Sequence, residues 1–171
     1  MANLALNGGD KTIRRELGRK WPIYDEREEK ALLDVLHSGM WWRGGERLTG
    51  AQSKVTAFED AFAAYQQAKY GVAVANGSVA MECALRAAGV EAGHEVIVPA
   101  LTFISTVTSV LMVHAIPVIA DIDPGTLDLD PDAFEAAITP RTKAVLVVHM
   151  GGYPADMDRL IEIANRHGVV V

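Results

Sequence analysis

From Tyr70 to the end of the chain, short apolar runs alternate with stretches of helical pattern, and this alternation constrains the fold more than any other feature. The apolar runs lie at 72–75, 96–98, 118–120, 144–148 and 169–171. The helical stretches lie at 78–88, 103–113, 131–137 and 156–167. Continuous Val and Ile runs separated by helices are typical of a parallel sheet with helices on both faces. The sequence therefore predicts an α/β fold with right-handed crossovers.

The first 50 residues differ from this pattern. A helix over 25–37 is expected to end at Gly39, because glycine suits a helix C-terminus, and a loop rich in Gly and Trp follows. A second amphipathic helix is predicted over 53–69. Four apolar residues share one stripe of that helix: Val55, Phe58, Phe62 and Tyr65. We therefore predict a helix-and-loop segment at 1–50 and a partial α/β domain at 51–171.

Charge and cysteine content exclude several classes of protein. The chain has 171 residues, with 16 Lys and Arg against 22 Asp and Glu, so its net charge is −6. That balance disfavours general affinity for nucleic acid or for an anionic membrane. A single cysteine, Cys83, allows no internal disulfide and no Cys-based zinc cage, and it fits a reducing cytoplasm. The five histidines show no paired spacing, so no metal site is predicted.

One apolar stretch has the length of a membrane span. Residues 96–120 contain no Asp, Glu, Lys or Arg, but Pro99 and Pro117 interrupt them. A spanning helix needs about 20 predominantly apolar residues, and two short strands around a buried helix explain the prolines better. The first 20 residues also lack the apolar core of a signal peptide. The sequence therefore predicts a cytoplasmic protein without a membrane span.

A tight turn before a helix carries the strongest local signal for a binding site. At Asn76-Gly77-Ser78-Val79 a predicted strand ends and a helix begins. Free backbone N–H groups and the positive end of the helix dipole make such a start an anion site. Ser78 can offer its hydroxyl to a phosphate, or it can serve only as the helix N-cap. Neither G-x-G-x-x-G nor G-x-x-x-x-G-K-[ST] occurs, so there is no nucleotide fingerprint.

Phe103 is the second candidate. It lies just beyond the carboxyl end of the predicted strand at 96–98, where open parallel sheets bind ligands. An exposed aromatic ring there can stack on a flat heteroaromatic ligand, whereas a buried one would anchor the next helix to the core. His149 lies at the end of another predicted strand. It can be a site residue or a structural histidine.

The acidic run between Asp121 and Asp132 has the composition of a calcium loop. Such a loop needs Gly at its sixth position and a carboxylate at its twelfth, and counting from Asp128 gives Ala133 and Thr139 instead. The calcium interpretation therefore fails. Within this run, Asp130 followed by a proline is typical of an N-cap and the first turn of a helix.

Taken in order, these segments resemble the DegT-type sugar and cyclitol aminotransferases, which use pyridoxal 5′-phosphate (PLP). The likeness extends from about Ile23 to Val171 and is carried by matching motifs in the family's order. These motifs lie at 36–41, 58–63, 74–78, 95–103, 117–123, 137–144 and 148–158. The resemblance implies the N-terminal part of an aspartate-aminotransferase-like large domain, the PLP-transferase type I fold.

The resemblance also implies which residues hold the cofactor. The family's turn of Gly and Ser or Thr holds the PLP phosphate, which assigns that role to Gly77, Ser78 and Val79. The family's aromatic residue after a Thr lies against the pyridine ring, which assigns that role to Phe103. Both assignments agree with the site that the turn and the strand end predict.

Activity and partners follow from the same resemblance. Members pass an amino group from Glu or Gln to a keto-sugar or keto-cyclitol, in sugar or antibiotic biosynthesis, and they act as homodimers that share active sites. In such a site Trp41 and Arg43 would lie on the substrate side.

The family's remaining catalytic groups would lie beyond Val171. These are the Schiff-base lysine and the carboxylate on the pyridine nitrogen, so we assign no catalytic residue within the chain. A terminal apolar strand at 169–171 also suggests a longer polypeptide or a partner. We therefore expect the chain alone to be inactive. The alternative is a noncatalytic module that binds phosphate compounds or packs against a partner chain.

Overall fold

A computed structural model describes residues 3–13, 18, 21–45 and 50–171. The chain forms two compact units, Met1–Gly71 and Val72–Val171. The division at residue 50 that the sequence suggests stays a prediction. In the described part of the chain, no helix has the length and apolar character needed to cross a bilayer.

Two helices dominate the described residues of the first unit. Helix α1 spans Glu26–Ser38 and α2 spans Lys54–Tyr65, with short 3-10 turns at Ala5–Asn7 and Arg43–Gly45. Asp25 is the N-cap of α1 and forms a capping box with Glu28. The Asp25 side chain accepts a hydrogen bond from Arg27 N, and the Glu28 side chain accepts one from Asp25 N. Gly39 ends α1 in the left-handed conformation (φ 69°), which confirms the expected C-terminus.

The apolar stripe of α2 lies at the surface. Phe58 is 57% exposed, and Phe62 and Tyr65 are exposed as well. The rings of Phe58 and Phe62 stack on each other, with their centroids 5.5 Å apart. The buried residues of α2 are Glu59 and Ala63. The amphipathic pattern is therefore real, but its apolar side is left uncovered.

The second unit alternates helices and strands as the sequence predicts. Its elements are α3 (Gly77–Ala87), β1 (Glu95–Pro99), α4 (Ile104–Met112), β2 (Ile116–Ala120), α5 (Pro131–Ala137), β3 (Thr142–Val145) and α6 (Met157–His167), with a 3-10 turn at Met150–Gly152. Helix α5 begins with Asp130 as N-cap and Pro131 in its first turn, which confirms the interpretation of that pair.

The strands form a parallel sheet in the order β2-β1-β3. In the centre of the sheet, Ile97 of β1 pairs with Val118 of β2 and Val145 of β3. Val170 extends the sheet beyond β3 through a single parallel bridge to Ala144. Because all strands run in the same direction, their carboxyl ends lie together at one end of the sheet.

Helices cover both faces of this sheet. Val96 and Val98 of β1 pack with Leu85 of α3 and Val110 of α4. Ile97, which points to the opposite face, belongs to a second core that includes buried residues of α5 and α6: Phe134, Leu160, Ile163 and Ala164. Successive residues of β1 thus enter different cores, which is why residues 96–98 are apolar throughout and do not alternate with polar ones.

Three of the predicted strands differ from the structure. Residues 72–75 are not a strand, and Val72 is 73% exposed, because no strand of the described chain lies beside them to complete a ladder. The run at 144–148 is a strand only as far as Val145, and the run at 169–171 contributes only the bridge at Val170. An apolar run can form a strand, but it does so only where a neighbouring strand is present to form the ladder of hydrogen bonds.

Candidate functional site

The turn before α3 is built around Asn76. Its Oδ1 accepts a hydrogen bond from the backbone N–H of Val79 at 3.1 Å, and its own backbone is extended. Asn76 is therefore the N-cap, and the reading of Ser78 as the helix cap is wrong. An Asn directly before Gly-Ser at a helix start is itself a cap signature, and the sequence reasoning passed over it.

Capping by Asn76 leaves other donors at the helix start available. The backbone N–H groups of Gly77 and Ser78 precede the helical ladder, and the half-buried Ser78 hydroxyl has no partner among the described residues. The space where a Cβ would stand on Gly77 is open. Glu82, one turn further on, forms an ion pair with Arg86 of the same helix at 2.9 Å, which compensates its negative charge.

Phe103 immediately precedes α4, beyond the carboxyl end of β1. It is 74% exposed, so the reading of this ring as a core anchor is wrong. Its carbonyl accepts from Thr106 N at 3.0 Å, and the hydroxyls of Thr102 and Thr106 are 2.7 Å apart. These bonds fix the start of α4 and leave the ring free to contact a ligand.

Helices α3 and α4 pack side by side. Near their C-termini, Arg86 Nη2 donates to Met112 O at 3.4 Å. In the loops that follow, Gly93 N donates to His114 O at 3.2 Å. Because the C-terminal ends meet, both helices begin at the other end, where β1 also ends. The structure thus brings Ser78 and Phe103 to the same side of the second unit.

His149 fits its structural reading. Its Nδ1 accepts a hydrogen bond from Ala155 N at 3.0 Å, which closes the loop after β3. That loop contains two consecutive glycines with positive φ, Gly151 and Gly152, and a short-range bond of this kind stabilises such a turn.

Trp41 and Arg43 belong to the first unit. Trp41 is exposed, while Arg43 Nε lies 3.1 Å from Oε2 of the buried Glu59. The guanidinium therefore already has a structural task, since it compensates a buried carboxylate. The substrate role of Trp41 and Arg43 stays a prediction.

A parallel sheet between two helical layers is the architecture that this chain shares with its structural neighbours, the PLP-dependent aminotransferases of fold type I. The crystal structure of 3-amino-5-hydroxybenzoic acid (AHBA) synthase matches with a TM-score of 0.80 and 45% identity, over 88% of this chain and 38% of that one. NtdA from Bacillus subtilis with bound cofactor PMP matches with a TM-score of 0.73 and 33% identity, over 86% of this chain and 33% of that one.

The chain belongs to the DegT/DnrJ/EryC1/StrS aminotransferase family, whose model matches residues 22–171. It is 45% identical to the L-glutamine:2-deoxy-scyllo-inosose aminotransferase of Streptomyces kanamyceticus over 157 residues. That match covers 90% of this chain and 36% of the relative, so the chain spans little more than a third of the relative's length. The resemblance and the fold class expected from the sequence are confirmed.

Proposed function

We propose that this chain forms the cofactor-phosphate side of a PLP-dependent aminotransferase that passes an amino group from glutamine to a keto-cyclitol or keto-sugar. The observation that carries the proposal is the pairing of free donors at Gly77 and Ser78 with the exposed ring of Phe103 at one end of α3 and α4. Membership of the aminotransferase family and a relative that is named for glutamine and a keto-cyclitol support the reaction class.

Each group at this end has its own task in the proposal. The N–H groups of Gly77 and Ser78 and the Ser78 hydroxyl bind the phosphate, and the helix dipole favours its negative charge. Val79 N–H, already bonded to Asn76, holds the turn in shape and reaches a phosphate only by exchanging that partner. Phe103 orients the pyridine ring by stacking, a contact of about 0.5–1.5 kcal/mol beyond area burial. The chemistry that PLP would supply in this site is that of a carrier for the amino group between donor and ketone.

A second copy of the chain completes the proposal. The exposed aromatic stripe of α2, with Phe58, Phe62 and Tyr65, is the kind of apolar surface that monomers rarely leave open. We assign it to a homodimer contact. Trp41 and Arg43, on the same unit, are assigned to the substrate side, and the single Cys83 fits action in the cytoplasm.

Titration of the 171-residue chain with pyridoxamine phosphate tests the cofactor site, because this form carries the phosphate and ring and needs no covalent bond to a lysine. We expect Ser78→Ala to raise the Kd about tenfold, as the loss of one hydrogen bond to a charged group does. Thr12→Ala, which likewise removes a hydroxyl but at an exposed residue of the other unit, should leave the Kd unchanged.

The same titration separates the proposal from its alternative. Binding of pyridoxamine phosphate that is indifferent to Ser78→Ala would contradict the site. Inorganic phosphate bound as tightly as pyridoxamine phosphate would indicate a noncatalytic phosphate-binding module, because the ring would then contribute nothing. Calorimetry measures both ligands on the same protein.

A further inference from the structure

A cavity of about 480 Å³ lies in the second unit, and neither Ser78 nor Phe103 lines it. It is bounded by the loops that follow β2 and β3 and by the starts of α5 and α6. Five aspartates and one arginine line it, for a formal charge of −4. Its volume falls within the range of small-molecule sites.

Most of this acidity has a local explanation. Asp130 Oδ1 accepts from Asp132 N at 2.9 Å and caps α5, while Asp156 Oδ1 accepts from Arg159 N at 3.2 Å and caps α6. Asp123 Oδ1 closes a turn by accepting from Thr126 N at 3.1 Å. Asp132 pairs with Arg159 at 2.6 Å. Alone, these four aspartates indicate no ligand.

Asp128 is different. Its side chain is 3% exposed, and Oδ1 accepts from Met150 N at 2.8 Å. The other oxygen, Oδ2, is buried and has no hydrogen-bond partner among the described residues. A buried carboxylate oxygen without a donor is costly, so a native structure is expected to supply one.

The lining does not supply that donor. Arg159, the only cation of the cavity wall, is bonded to Asp132. Across the described residues, no group of three His, Cys, Asp or Glu is placed to hold a metal ion. A compact metal ion is therefore a poor occupant. An ammonium group suits the wall better, because it carries several N–H donors and needs no fixed coordination geometry.

We propose that this cavity binds a small polyhydroxylated primary amine, whose ammonium group donates to Asp128 and whose hydroxyl groups donate to the neighbouring aspartates. The inference of an ammonium group rests only on the residues of the cavity, namely its negative lining and the unpartnered Asp128 Oδ2. The cyclitol or sugar carrier rests on the proposed function, because transfer of an amino group to a keto-cyclitol yields such an amine. The cavity is then a second site for the product class, outside the cofactor site.

Binding requires a small local movement, because Asp128 Oδ2 is closed off from solvent. The segment in direct contact is the turn Met150–Gly152, whose Met150 N–H holds the other oxygen. Gly151 and Gly152 have positive φ and bear no side chains, so this turn can shift without a side-chain clash. Tyr153, exposed at the cavity wall, follows it directly.

The test uses the full 171-residue chain without cofactor and follows backbone amide shifts by NMR. Scyllo-inosamine should bind with a Kd of about 1 mM, as expected for one charge-assisted contact, and should shift Met150 and Thr126. Scyllo-inositol, its neutral counterpart, should not bind. Equal binding of the two, or shifts confined to Gly77 and Ser78, would overturn the proposal. So would methylammonium binding as tightly as scyllo-inosamine.

Two variants sharpen the result. Asp128→Asn keeps the size and the acceptor for Met150 N but removes the charge, and we expect at least a roughly tenfold loss of affinity for scyllo-inosamine. Asp158→Asn, an exposed aspartate outside the cavity, should change nothing. If Asp128→Asn does not fold, the wild-type comparison of amine with inositol decides the matter. Failure of amine binding leaves the pyridoxamine phosphate titration unaffected, so the two proposals fail separately.

Discussion

Glu95 shows how one buried charge is managed in this molecule. It begins β1 and is almost fully buried. Thr139 Oγ1 donates to its Oε2, and the Arg141 guanidinium donates to Oε1, through Nε at 2.9 Å and also through Nη2. Thr139 and then Arg141 hold the pKa of Glu95 below its ordinary value of 4.5, while burial acts in the opposite direction.

A lowered folded-state pKa has a definite sign for stability. The contribution is fully present above the ordinary pKa of 4.5, and it is lost as the pH falls through the lower folded-state value. We expect Glu95→Gln to lower the free energy of unfolding at neutral pH and to weaken its decline in acid. Urea unfolding from about pH 7 to about pH 3 measures this. Glu91→Gln, at an exposed residue, should retain the wild-type profile, and an identical loss there would refute the assignment.

At the scale of elements, local signals place helices well. The pair Asp130-Pro131 predicts the start of α5 to the residue, and Gly39 predicts the end of α1. Both signals work between chain neighbours, so they need no information about the rest of the fold. The interval 72–75 has an equally clear apolar pattern and yet forms no strand, because a ladder needs a partner that lies far away in the sequence.

The N-cap of α3 gives a prediction at this scale. Asn76→Ala removes the acceptor for Val79 N–H and should destabilise the chain by about 1 kcal/mol. Asn76→Asp keeps an acceptor and suits the positive end of the helix dipole, so it should remain close to wild type. Urea denaturation followed by far-UV circular dichroism compares the two. An equal loss in both variants would mean that the side-chain bond is not what stabilises this helix start.

For the whole molecule, the main observation is uncovered apolar surface on the first unit. Helix α1 has no buried residue, and Phe58 and Phe62 of α2 are exposed. Burial of apolar surface is the dominant favourable term in protein association, which is why we assign this surface to a second copy.

Sedimentation equilibrium tests that assignment on the 171-residue chain. We expect a dimer that dissociates on dilution, and Phe58→Glu should weaken it by at least about tenfold, because a charge would be buried in the contact. Ala64→Glu introduces the same charge at an exposed position of α2 off the stripe and should leave the dimer intact. A wild-type chain that stays monomeric at high concentration would contradict the homodimer.

By itself, the sequence determined the α/β class and the main helix boundaries, because periodicity and caps are properties of neighbouring residues. It also determined the family, because the order of the motifs can be followed directly along the chain. The same patterns located the turn at Gly77 and Ser78 and the ring of Phe103. Only the tertiary structure decided that Phe103 is exposed, that Asn76 is the cap, and that Asp128 is the buried aspartate of its run. Burial and hydrogen-bond partnership depend on which distant residues meet, and here the loop after β3, not the acidic run itself, encloses Asp128.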